Sequence, residues 1–93
     1  KKGFMTSFDW DQWNLQKNEI KHGVSYLEAE SVFYDPGYKV YEDTKHSSEK
    51  EKRYIIYGQS LEKRTLMIGF TLRAQHIRII TARPASKKER DAL

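Results

Sequence analysis

The chain has 93 residues, with 17 Lys or Arg against 13 Asp or Glu and a net charge of +4. That length allows one domain with a modest core and a thin margin of stability. The absence of cysteine excludes disulfides and zinc–thiolate sites, and no apolar run approaches a membrane span, so a cytoplasmic protein without membrane contact is expected.

Residues 1–4 precede Met5 and are expected to be a cloning remnant, which leaves 5–93 as the single domain. Ser7–Trp10 is short and aromatic and suits a first strand. Asp11 then opens a helix expected to reach about His22, because a carboxylate there meets free N–H groups and the positive end of the dipole. Trp13, Lys17 and Ile20 share one face of it, and Asn14, Asn18, Lys21 and His22 share another. Trp13 and Ile20 are expected to point inward. Gly23 is placed to end the helix in a left-handed conformation. Ser25-Tyr26-Leu27-Glu28 has the spacing of a capping box, with Val24 and Ala29 at the two staple positions. The second helix is therefore expected over Tyr26–Tyr34, with Tyr26, Ala29 and Phe33 on its inner face. Asp35-Pro36-Gly37 stops it.

From Tyr38 the apolar period changes to two. Tyr38–Asp43 alternates weakly, Thr44–Lys52 is a polar loop, and Arg53–Gln59, Arg64–Leu72 and His76–Arg83 have strand character. Their short separators favour hairpins, so Tyr38–Arg83 is expected to form a four-stranded antiparallel meander. Ser86-Lys87-Lys88-Glu89 is a second capping box, and a short helix should start at Lys87. The whole is an α+β fold: two N-terminal helices, a four-stranded antiparallel sheet with a possible short N-terminal strand, and a C-terminal helix. Phe8, Trp10, Trp13, Ile20, Phe33, Ile55, Leu66, Ile68, Phe70, Ile77 and Ile79 are expected to supply most of the core.

The last strand carries the strongest functional signal. Between Arg73 and Arg90 there are six Lys or Arg and one acidic residue, Glu89. Arg78 and Arg83 sit among β-branched residues suited to a covered sheet, where a guanidinium needs an anion. A phosphate site is one answer, since the fork of donors matches phosphate oxygens. An ion pair with Glu28, Glu30 or Glu42 is the other. Strict alternation puts residues 78 and 83 on opposite faces, so both reach one site only through a bulge or the strand end at Pro84.

Several motifs follow one another in an order that resembles the BrnT toxins. Trp10-Asp11, Asn18, Lys21-His22-Gly23-Val24 and Phe33-x-Asp35-Pro36 resemble the opening of that family. His46-Ser47, Glu51-x-Arg53, Tyr57-Gly58-x-Ser60, Arg64-x-Leu66, Ile77–Arg83 and Glu89-Arg90 follow the rest. The resemblance spans roughly Phe8 to Arg90. Asn14 stands where the family often has Lys, and Asp91-Ala92-Leu93 lacks the aromatic that often follows the Glu-Arg pair.

The resemblance implies a RelE-like fold and a type II toxin that stops translation by cleaving RNA. It implies a BrnA-type antitoxin whose DNA-binding part is dimeric, giving a 2:2 complex that reaches DNA only through the antitoxin. An acidic segment of that partner would meet the basic face, with the sheet edges and Lys87–Arg90 as docking surfaces.

RNA cleavage without a metal needs a base for the 2′-hydroxyl, an acid for the leaving oxygen and cations for the phosphorane. The candidate catalytic residues are Arg64, Arg78, Arg83, His46 and His76. The candidate RNA-binding residues are Lys21, His22, Tyr57, Lys87, Lys88 and Arg90. Each has a plainer role. Arg64 starts a strand and suits a surface contact, His22 suits a helix C-terminus, His46 and His76 suit solvent, and Tyr57 suits a sheet face. The scattered histidines give no metal-ligand spacing, and neither metal nor cofactor is expected. A non-catalytic module that docks an acidic protein or nucleic acid through the same basic patch is the alternative function.

Overall fold

The computed structural model describes residues 7–93, so the expected remnant at residues 1–4 lies outside the described residues. The order of elements is β1 (Phe8–Trp10), α1 (Gln12–His22), α2 (Tyr26–Ser31), a 3-10 turn (Val32–Tyr34), β2 (Lys39–Glu42), β3 (Arg53–Gln59), β4 (Thr65–Arg73), β5 (His76–Pro84) and α3 (Lys87–Ala92).

The helix ends follow their capping residues. The Asp11 carboxylate accepts from the N–H groups of Trp13 and Asn14, and Gly23 closes α1 at φ 66°. The Ser25 hydroxyl accepts from Glu28 N–H. The second half of that expected capping box does not form, because the Glu28 side chain turns inward to Arg64 and Ser60 instead. At α3 the reciprocal box is complete between Ser86 and Glu89.

The sheet is five-stranded and mixed, in the order β1-β5-β4-β3-β2. The antiparallel meander β2–β5 is present, but the expected all-antiparallel sheet is corrected by β1, which runs parallel to β5 with Phe8 opposite Ile77 and Trp10 opposite Ile79. A parallel neighbour has no hairpin turn to mark it. Its connection to β5 spans most of the chain, so its direction is set by tertiary packing.

One face of the sheet is covered. Ile56, Leu66, Ile68, Ile77, Ile79 and Ala82 are fully buried there with Phe70, beneath Val24, Ala29, Val32 and Phe33. Phe70 stacks on Tyr54 at 5.5 Å and meets Phe33 edge-on at 5.1 Å. Phe8 and Trp10 pack partly buried against this cluster.

Three expected core positions, Trp13, Ile20 and Ile55, and the expected inward face of Tyr26 are corrected. Trp13 is 72% and Ile20 85% exposed, Tyr26 points outward, and Ile55 is half-buried while its neighbour Ile56 is buried. The helix α1 turns its amide face inward for a definite reason. Beyond the end of β1 the edge of β5 has polar groups to satisfy, and Asn18 satisfies them. It donates to Ile80 O at 3.3 Å and accepts from Ala82 N at 3.1 Å while only 1% exposed. Two buried backbone groups and one buried amide each cost more unpaired than an apolar side chain costs exposed.

Candidate active site

The open face of the sheet collects the residues that the covered face excludes. Three cross-strand rows run over it. Asp9, Arg78, Thr71 and Arg53 form one, Thr81, Gly69, Ile55 and Tyr41 the next, and Arg83, Met67, Tyr57 and Lys39 the third. Arg78 and Arg83 share this face because β5 is bulged. Ile79 pairs with Phe70 and Thr81 with Gly69, which leaves Ile80 as an extra residue that reverses the phase of the strand.

The bulge adjoins a hollow of about 340 Å³. Ile55, Met67, Gly69 and Ile80 give it an apolar lining, and Asp43, His46, Arg53 and Arg83 a polar one. Gly69 keeps it open: a Cβ there would stand 2.8 Å from Thr81 Cγ2. The loop after β2 is pinned over the same face. Thr71 Oγ1 donates to Lys52 O at 2.7 Å, and Arg53 N donates to Ser47 Oγ at 2.8 Å. This places His46 at the hollow. Its Nδ1 lies 2.8 Å from Asp43 Oδ2, a pairing that fixes the ring and leaves Nε2 for proton exchange.

Arg83 lies across the hollow from that loop. Its Nη1 and Nη2 donate to the two Glu89 oxygens at 2.9 and 2.8 Å, and Tyr57 Oη donates to Glu89 Oε2 at 3.1 Å. The Arg83 bond is the main cause that lowers the Glu89 carboxyl to about 2, against partial burial, with help from Ser86 N–H and Tyr57. Burial, then the bond to Glu89, pushes the Tyr57 hydroxyl up. A carboxylate so acidic is a poor proton acceptor at neutral pH, whereas Tyr57 stays a proton donor. His22 stands at the end of α1 near enough to Arg83 to feel its charge. Burial first, then Lys21, Arg83 and Lys17, hold its imidazole below the ordinary value.

The remaining candidates are spread apart. Arg78 is on the open face, but Nη1 donates to Asp9 at 2.9 Å and Nη2 to Asp11 at 3.2 Å. Arg64 is away from the hollow. It grips the buried Glu28 with Nε and Nη2 at 2.7 and 2.6 Å and caps α1 through Gly23 O. His76 is at the opposite end of β5 from Arg83 and contacts Ser7 Oγ at 2.7 Å. Lys21 is exposed at the end of α1, and Lys87, Lys88 and Arg90 are exposed on α3.

The arginines are thus paired, though not with the acids expected of them. Glu28 goes to Arg64, Glu30 accepts from Trp10 Nε1, and Glu42 meets Lys52. Asp9, Asp11 and Glu89 hold Arg78 and Arg83 instead. Sequence reasoning missed Arg53, Asp43 and Glu89 as site residues. A signal existed for the first: Arg53, Ile55 and Tyr57 alternate onto one face of β3. Among the described residues no three His, Cys, Asp or Glu side chains cluster closely enough to hold a metal ion, and no helix is long and apolar enough to cross a membrane.

Comparison with known proteins gives two positive findings. The sequence profile of a family described as the ribonuclease toxin BrnT of a type II toxin–antitoxin system matches residues 10–89. The fold is similar to that of a 1.1 Å crystal structure of the Brucella abortus ribonuclease toxin BrnT, with a TM-score of 0.65 at 21% identity, over 89% of this chain and 100% of that one. No curated protein sequence matches.

Proposed function

Because the chain belongs to the BrnT family of ribonuclease toxins of type II toxin–antitoxin systems, we propose that it is an endoribonuclease that needs no metal and stops translation by cutting RNA. The observation that carries this reading is the bulge at Ile80, which turns Arg78 and Arg83 to one face beside a hollow that also receives His46. In the proposed step a 2′-hydroxyl attacks the adjacent phosphorus in line, and the 5′-oxygen leaves. His46 Nε2, oriented by Asp43, takes the 2′ proton, and Tyr57 supplies a proton to the departing oxygen. Arg83 and Arg53 stabilise the charge that builds on the phosphorane, with Arg78 and His22 at the margins. Lys21 and the α3 cations, Lys87, Lys88 and Arg90, would hold the flanking phosphates. Arg64 is assigned a positioning role, and His76 lies outside the reacting centre.

Such a toxin acts in the cytoplasm and must be neutralised by a protein antitoxin. A BrnA-type, DNA-binding dimer in a 2:2 complex fits the family. The exposed edge strand β2 and the basic α3 are the surfaces best suited to it. Expression in a bacterial host tests the reading: growth should stop and RNA should be degraded. Normal growth with intact RNA at high expression would remove it. The complete pairing of Arg64, Arg78 and Arg83 with carboxylates favours the second reading, a non-catalytic basic module, and that outcome would support it.

A further inference from the structure

The C-terminal helix is attached to the sheet in an unusual way. No residue of α3 is buried. Its other polar contacts are local: Lys87 pairs with Asp91, and Arg90 donates to Ala85 O. Among the described residues, its polar links to the sheet all run through one side chain, Glu89. That carboxylate receives both Arg83 nitrogens and the Tyr57 hydroxyl on the open face, next to the hollow. Two oxygens in one plane, met by a guanidinium fork and a third donor, reproduce the way a phosphate is held. A six-residue helix without apolar anchorage has little intrinsic stability to resist displacement.

We propose that Arg83 and Tyr57 form a phosphate subsite for a nucleic-acid strand, that Glu89 occupies it in the free protein, and that α3 must swing out before a phosphodiester can enter. The inference rests on the ribonuclease reading for its choice of ligand, but it makes a separate demand: removal of Glu89 must strengthen binding. If Glu89 were merely part of the fold, its removal would loosen Arg83 and weaken binding.

The test uses the full chain and a ten-nucleotide all-deoxy strand, which lacks the 2′-hydroxyl and so reports binding without cleavage. Glu89→Ala should bind it about tenfold more tightly, the scale of one charge-assisted pair no longer competing. Asp91→Ala is the control, because it removes the same charge from the same helix. Its gain should be no more than about twofold. Arg83→Ala in the Glu89→Ala background should abolish the gain. The dependence of affinity on salt should steepen in Glu89→Ala by about 0.7 in log–log slope, one further phosphate contact. In the wild-type chain, amide exchange of residues 87–92 should accelerate when the strand is added. Equal or weaker binding by Glu89→Ala, a gain matched by Asp91→Ala, or exchange that slows would each overturn the proposal. Failure of the two readings is distinguishable. Tighter deoxy-strand binding without any RNA cleavage keeps the subsite and removes the nuclease, while RNA cleavage with no change in binding does the reverse.

Discussion

The two faces of the sheet are built from the same strands and held by different forces. On the covered face, Ile56, Leu66, Ile68, Ile77 and Ile79 are fully buried and Phe70 nearly so, and cohesion comes from apolar area and close packing. On the open face, the neighbours of those residues are Arg53, Ile55, Tyr57, Met67, Arg78 and Arg83, and cohesion comes from ion pairs beside a hollow. Apolar packing is hard to exchange for anything else. A half-exposed ion pair contributes little to stability and can be traded for another anion, which leaves that face free for chemistry. Single substitutions should therefore unfold the protein from one side and disarm it from the other.

The largest effect is expected on the covered face. Phe70→Ala removes a ring that touches both Tyr54 and Phe33, and should cost about 3–5 kcal/mol by denaturant unfolding. A loss under about 1 kcal/mol would break the comparison at its firmest point. Next comes the pair that joins the covered side to the helices. Arg64→Ala strands the buried Glu28, and should cost about 3 kcal/mol, the lower end for a broken buried pair because Arg64 is partly exposed. A folded, equally stable Arg64→Ala with lost RNA cleavage would move Arg64 from positioning to catalysis.

Gly69→Ala lies between the two regimes. The new Cβ would crowd Thr81 Cγ2, so about 1–3 kcal/mol of stability should go, together with the opening of the hollow. Acid sharpens the contrast further. Glu89 has a folded value of about 2 against 4.5 when free, so its contribution is fully present above pH 4.5 and is lost as pH falls through about 2. Glu89→Gln should flatten the acid limb of the stability curve in that window by lowering stability at neutral pH, where the carboxylate makes its full contribution, and the loss should be modest because the pair is partly exposed. An unaltered acid limb would mean that the Arg83 pair does not form in solution.

The same contrast explains what was legible in the sequence. The covered face announces itself through Leu66, Ile68 and Phe70 at a period of two, and the caps Asp11, Gly23, Ser25 and Ser86 mark helix ends through local chemistry. The packing of α1 was not legible. Trp13 and Ile20 have the spacing of a buried stripe, but the edge of β5 demanded the Asn18 amide, and that demand exists only in three dimensions. The parallel pairing of β1 has no local signal for the same reason. On the open face, the need for a bulge between Arg78 and Arg83 could be stated from alternation, but its position at Ile80 could not. The choice of Glu89 as the partner of Arg83, six residues along the chain, was hidden behind its part in the capping box.

The central claim is that the open face cleaves RNA with its own side chains. The most direct measurement incubates the purified chain with RNA in EDTA and identifies the new ends, beside His46→Ala and Arg83→Ala. The wild-type chain should leave 2′,3′-cyclic phosphate and 5′-hydroxyl ends, and each variant should slow cleavage by about a hundredfold or more while melting within a few degrees of the wild type. Intact RNA with the wild-type chain, or full activity in both variants, would contradict the account.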